Sequence, residues 1–210
     1  MIVTIDYGVG NLGSIRNILK RIGKEVKVTS DPAVIESADR LILPGVGAFD
    51  NGMRNLEELG LIDVLNKKVL KERAPILGIC LGMQLMSKSS EEGVKLGLGW
   101  LDAETIRFRN GICPHLRIPN MGWNSVTIVR QHPLVKDVDA NSRFYFVHSY
   151  HVQCNNPNDV VATTNYCVDF VSIFSKDNIY GTQFHPEKSL RYGVQILRNF
   201  ANMERSYDKN

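Results

Sequence analysis

The first hundred residues alternate short apolar runs with helical spacings, and that rhythm restricts the fold more than any other feature. Ile2–Asp6 is a run of strand length. Ile15, Ile18, Leu19 and Ile22 then recur at helical spacing, with Ser14 as a candidate cap and Gly23 as the stop. Glu25–Thr29 alternates as a second strand, and Arg40–Leu43 is a third, stopped by Pro44. Leu61, Val64, Leu65, Val69 and Leu70 form the apolar stripe of a helix over Gly60–Glu72, before a buried strand at Pro75–Ile79 and a further helix from Leu81. The pattern predicts an α/β fold: an open, mostly parallel doubly wound sheet with helices on both faces. The second half differs. Arg117–Val129, Phe144–Cys154, Val160–Thr164, Phe170–Ser175 and Ile179–Phe184 read as strands joined by turns, which predicts an antiparallel section before a last helix at about Leu190–Met203. No repeat or linker divides the chain, so residues 1–210 are expected to form a single domain.

In such sheets, sites lie beyond the carboxyl ends of the strands. The strand Pro75–Ile79 is followed by Gly78-Ile79-Cys80-Leu81-Gly82, a Gly-x-Cys-x-Gly at a strand-to-helix turn. This is the cysteine version of a nucleophile elbow. Glycines on both sides let a tight corner form, and the cysteine then stands at a helix N-terminus, where the dipole and free amides favour a thiolate. The Leu81 amide can stabilise an oxyanion there. A cysteine merely buried in a glycine-rich turn has the same local sequence.

The strand Ile179–Phe184 runs into His185-Pro186-Glu187. Two residues apart in extended chain, the imidazole and the carboxylate point to one side, so Glu187 can orient His185 and stabilise its charge. Two glycine loops follow other strands. Pro44-Gly45-Val46-Gly47 allows a backbone amide to approach a substrate or to flip, as a second oxyanion donor must. Gly8-Val9-Gly10-Asn11-Leu12-Gly13, with Asp31 about twenty residues on, satisfies the pattern of a dinucleotide fingerprint, a rival reading from another functional class. Nothing else in the chain suggests hydride chemistry.

A net charge of +3 without runs of like charge gives no footprint for nucleic acid. Apolar stretches are of strand length, far short of a membrane span. The first residues show neither the basic nor the apolar segment of a signal peptide, which predicts a cytoplasmic protein. Cys80, Cys113, Cys154 and Cys167 form no Cys-x-x-Cys pair, so each is expected to be a small buried hydrophobe or a reactive thiol. His148 and His151, three apart on one strand, are expected on opposite faces, so no metal is assigned to them.

Taken together, Pro44-Gly45-Val46-Gly47, Gly78-Ile79-Cys80-Leu81-Gly82-Met83-Gln84 and His185-Pro186-Glu187-Lys188-Ser189 resemble the class I (triad) glutamine amidotransferases. Asp6-Tyr7-Gly8-Val9-Gly10-Asn11, Met121-Gly122-Trp123-Asn124 and Tyr145-Phe146-Val147-His148-Ser149-Tyr150 narrow the resemblance to the glutaminase subunits of imidazole glycerol phosphate synthase, over essentially the whole chain. The first glycine loop is then a signature of that family rather than a dinucleotide site.

The resemblance implies that Cys80 attacks glutamine, that His185 held by Glu187 moves the protons, and that a glutamyl thioester is hydrolysed to glutamate and ammonia without a cofactor. It implies an oxyanion hole from the amides of Val46 and Leu81, and glutamine held by Gly45, Gln84, Ser149 and Tyr150. It also implies a heterodimer with a (β/α)8-barrel synthase (cyclase) subunit, with Asn11, Trp123, Tyr145 and Lys188 at the interface or gating ammonia. Aromatic anchors suit an interface, although core packing would equally account for Trp123 and Tyr145. The chain departs from the family pattern at Asn120, where histidine is usual, and at Cys167, where glycine is commoner. An alternative therefore stands beside histidine biosynthesis: a paralogue supplying ammonia for amidination of a sugar in surface polysaccharide. A free-standing hydrolase of the same fold is a further one.

Overall fold

The structure, a computed structural model, describes residues 1–109 and 117–204. In chain order it contains β1 (Ile2–Ile5), α1 (Leu12–Arg21), β2 (Val26–Thr29), α2 (Pro32–Glu36), β3 (Arg40–Gly45), α3 (Phe49–Glu58) and α4 (Leu61–Asn66). A wide helical turn at Lys67–Lys71 leads to β4 (Ile76–Cys80), α5 (Leu81–Leu85), β5 (Ser89–Ser90) and β6 (Ala103–Arg107). Then come β7 (Asn120–Asn124), β8 (Thr127–Ile128), β9 (Phe144–His148), β10 (Tyr150–Cys154), β11 (Val160–Tyr166), β12 (Val168–Lys176), β13 (Ile179–Thr182) and α6 (Leu190–Asn202). Eight strands make one sheet in the order β2-β1-β3-β4-β13-β12-β11-β8. The strands from β2 to β13 pair in parallel, and β12, β11 and β8 continue the sheet antiparallel. The fold is thus the mostly parallel α/β sheet with an antiparallel section in the second half. Two small sheets, β10-β6-β5 and β7-β9, stand beside it.

Alternation along the central strands fills both faces. Leu41 and Leu43 of β3 join a core with Phe49, Leu56, Leu61 and Leu65 of α3 and α4. Ile42 between them joins the opposite core, with Ile15 and Leu19 of α1 and Ile196, Leu197 and Phe200 of α6. A strand apolar at every position, such as β4, is what a sheet covered on both faces requires.

The local expectations fail at identifiable points. Asn11, not Ser14, precedes α1, and its side chain makes no capping bond. Pro44 does not stop β3, which runs on to Gly45. The Pro44 carbonyl accepts the Tyr7 hydroxyl at 2.6 Å, from the side where β1 has already ended, so its missing N–H costs no ladder bond. Phe144–Cys154 is two strands, broken at Ser149, and the two belong to different sheets. That break brings His148 and His151 to the same rings: both pack on Phe108 and on Phe170, against the expectation of opposite faces. Among the described residues no group of three or more His, Cys, Asp or Glu is placed to hold a metal. No helix among them is long and apolar enough to cross a membrane.

The cysteines also divide differently. Cys80 and Cys154 are free, whereas Cys167 carries a disulfide, which the sequence spacing did not signal. Cys113 lies outside the described residues. Cys167 joins β11 to β12 at φ 61, a left-handed conformation that favours the glycine commoner at this position.

The elbow is tightly packed against the sheet. A Cβ at Gly82 would lie 1.8 Å from the Leu43 carbonyl oxygen, and one at Gly78 would lie 2.7 Å from Met83 Cα. Gly82→Ala is expected to lower unfolding free energy by roughly 2–3 kcal/mol in urea denaturation, as overpacking does in cores. An unchanged midpoint would mean that α5 moves off β3 at no cost.

Candidate active site

Three parallel strands end side by side. Gly45 at the end of β3 is register-paired with Cys80 at the end of β4, and Ile79 is paired with Thr182 at the end of β13. Gly45-Val46, Cys80-Leu81 and His185 therefore leave the sheet at the same edge. Cys80 sits at the start of α5 with φ 52 and ψ −108, a strained backbone for a non-glycine residue, and it is 5% exposed. The strain turns its side chain out of the sheet toward a cleft of about 430 Å³. Val46, Leu81, Gln84, Ser149, Tyr150 and His185 line that cleft with it, together with Glu92 and His148.

His185 Nδ1 lies 2.9 Å from Glu187 Oε1, and both side chains are 1% exposed. Its other nitrogen, Nε2, is buried without a well-aligned hydrogen bond, and so is Glu187 Oε2. Burial opposes a charge on His185. The Cys80 sulfur and the Glu187 carboxylate outweigh it, and together they raise the imidazole to about 10. His185 can thus hold a proton between the Cys80 sulfur and the Glu187 carboxylate, an arrangement suited to nucleophilic attack followed by proton delivery to a leaving group. His148 is held neutral by contrast. Burial lowers it to about 3, its Nδ1–H donates to the Tyr150 carbonyl at 2.8 Å, and its Nε2 accepts from Asn120 at 3.1 Å.

The remaining candidates divide into two groups. Gly45 lies under the cleft floor, where a Cβ would meet Leu81 Cβ at 2.9 Å. Gln84 is buried and donates from Nε2 to the Tyr150 carbonyl at 2.9 Å. Trp123, Tyr145 and Lys188 instead form a cluster outside the cleft. Trp123, 48% exposed, meets the Tyr145 ring edge-on at 5.9 Å, and the Lys188 ammonium stands over that ring at 5.7 Å. Asn11 is apart from them at the start of α1, next to Gly10, whose Cα side packs on Pro44.

Several residues at the site escaped the sequence reading. Tyr7 follows β1, so the rule about carboxyl ends points to it. Its phenol is pushed far above the ordinary range by burial and then by the neighbouring Cys80. Gln183 is two residues before His185, just past the end of β13; its Nε2 reaches the Cys80 sulfur at 3.8 Å. Glu92 follows β5, a strand of two residues with no periodic signal. Its carboxylate accepts the Phe49 N–H at 2.8 Å and closes one wall of the cleft. Asp31, the acid of the rival dinucleotide pattern, caps α2 by accepting the Ala33 N–H.

The sequence pattern that defines glutamine amidotransferase class-I proteins matches residues 3–203. The chain belongs to this family. It is 53% identical to the imidazole glycerol phosphate synthase subunit HisH 2 of Methanococcus maripaludis, over 95% of this chain and 98% of the relative. It is 46% identical to HisH 2 of Pseudomonas aeruginosa and 44% identical to HisH of Leptospira interrogans, each over 97% of this chain and all of the relative. Among solved structures, one titled glutamine amidotransferase superposes with a TM-score of 0.71 at 21% identity, over 95% of this chain and 97% of that one. At that identity it shows the same fold.

The raised His185 has a consequence for stability. Its folded value lies above the unfolded value, so its charge stabilises the fold fully below about pH 6.5. That contribution is lost as pH rises from there through about 10. The urea midpoint is expected to fall over this window, and to fall less in His185→Gln. Parallel slopes in the two proteins would mean that His185 is neutral when folded.

Proposed function

We propose that this amidotransferase is the glutamine-hydrolysing subunit of an imidazole glycerol phosphate synthase, passing ammonia to a (β/α)8-barrel synthase subunit in histidine biosynthesis. The juxtaposition of Cys80 and His185 in one cleft, with Glu187 behind the imidazole at 2.9 Å, carries the hydrolytic part of this reading. The Cys80 thiolate adds to the side-chain carbonyl carbon of glutamine, and the amides of Val46 and Leu81 receive the developing oxyanion. His185 gives its proton to the amide nitrogen as the C–N bond breaks, which releases ammonia and leaves a glutamyl thioester. Water then attacks the thioester with His185 as base, giving glutamate and restoring the thiolate. Glutamine lies between Gly45, Gln84, Ser149 and Tyr150, and the Glu92 carboxylate provides a counter-charge for its ammonium.

The relatives' names support a synthase partner. So does the surface. Met121, 62% exposed, and Trp123 present apolar area beside Tyr145 and Lys188. Ammonia released to solvent is lost, so a subunit seated there gives the hydrolysis a use. A second reading, ammonia supply for amidination of a sugar in surface polysaccharide, is favoured by one observation: Asn120 contacts His148 where the family usually has histidine.

Glutamate release from glutamine, by the chain alone and with the same organism's histidine-pathway cyclase and its nucleotide substrate, separates the readings. Strong stimulation is expected. Slow turnover indifferent to that cyclase would point to the sugar pathway, and full activity alone to a free-standing hydrolase. Cys80→Ser is expected to reduce glutamate release by roughly a thousandfold or more while leaving the unfolding midpoint in place; residual turnover near the parent level would remove Cys80 from the mechanism. Trp123→Ala is expected to weaken cyclase binding roughly tenfold or more, and unchanged affinity would put the docking face elsewhere.

A further inference from the structure

Gln183 has a place in this site that the Cys-His-Glu scheme does not use. Its side chain is fully buried. Its Oε1 accepts from Gln84 Nε2 at 3.2 Å, which fixes which end of the amide faces the cysteine. Nε2 is therefore the end that points at the Cys80 sulfur, 3.8 Å away. Gln84 is itself held, because the same Nε2 donates to the Tyr150 carbonyl. A continuous chain runs from the cleft wall at Tyr150 through Gln84 and Gln183 to the sulfur.

A buried N–H aimed at sulfur does not treat the two protonation states alike. A thiol has a proton of its own to place and gains little. A thiolate only accepts, and a donor fixed in a dry pocket stabilises it selectively. We propose that Gln183 is a further catalytic residue, whose amide holds the Cys80 thiolate, and that Gln84 is the positioning residue that keeps this amide turned toward the sulfur. The proposal rests on Cys80 being the nucleophile. The titratable groups about that sulfur are Tyr7 after β1 and His185 after β13, with Glu187 and, from β9, His148 acting on His185. Gln183 is a neutral donor among them, so it favours the anion without adding a charge to the pocket.

The test is the pH profile of Cys80 alkylation by iodoacetamide, followed by peptide mapping, in the parent and in Gln183→Met, which keeps the length and loses the donor. The pH of half-maximal alkylation is expected to move up by about one unit, the size of one hydrogen bond to an ion. Glutamine kcat is expected to fall about tenfold with KM little changed, the signature of lost transition-state rather than ground-state stabilisation. Gln183→Glu, which keeps the volume and puts an acceptor where the donor was, is expected to move the profile further in the same direction, and it decides the matter if the Met variant does not fold. Profiles that coincide with the parent's would overturn the role of Gln183 while leaving Cys80 as nucleophile. A parent in which Cys80 is no more reactive than Cys154 would overturn both.

Discussion

The close approach of α5 to the ends of β3 and β4 is the constraint on which the site depends. Three glycines leave a slab of bare backbone there: Gly45 against the Tyr7 hydroxyl and Leu81, Gly78 against Met83, and Gly82 against the Leu43 carbonyl. Only with no side chain in the slab can α5 begin directly at Cys80. The chain then has to turn within one residue, which places Cys80 at positive φ. Strain of this kind costs about 1–3 kcal/mol, and the burial of Leu81, Met83 and Leu85 beneath the helix offsets it. The same geometry that strains the backbone lifts the sulfur above the sheet edge. There the end of β13 delivers His185 from one side and the end of β3 delivers Val46 from the other.

The parallel half of this sheet was legible because its determinants are local. Fully buried strands show as unbroken apolar runs, and the elbow shows as paired glycines about one cysteine. The carboxyl-end rule then placed the candidate nucleophile, base and carboxylate together before any contact was known. What escaped depends on pairings distant in sequence. Pro44 reads as a strand stop until Tyr7 is seen to occupy its carbonyl. Nothing around Ser149 announces that β9 pairs with β7 while β10 pairs with β6. The disulfide at Cys167 gave no signal through spacing. Gln183 is the instructive omission. His185 meets Glu187 through a 3-10 turn at Pro186–Lys188 rather than in the extended chain the spacing implied, and Gln183, just past the end of β13, reaches the Cys80 sulfur from the same segment.

The exposed aromatic cluster and the His185 imidazole are joined by the backbone of one residue. The Tyr145 carbonyl accepts the His185 N–H at 2.9 Å, and the Tyr145 N–H donates to Ser189 Oγ at 3.0 Å. Ser189 Oγ in turn donates to the His185 carbonyl at 2.6 Å. The Tyr145 ring meanwhile carries Trp123 and Lys188 on the outer surface. β9 thus links that surface to the backbone of His185, and its Val147 and His148 also line the cleft. One strand therefore carries both the outer aromatic cluster and the wall of the cleft against Cys80 and His185, so packing on the outer face and geometry at the sulfur are set together.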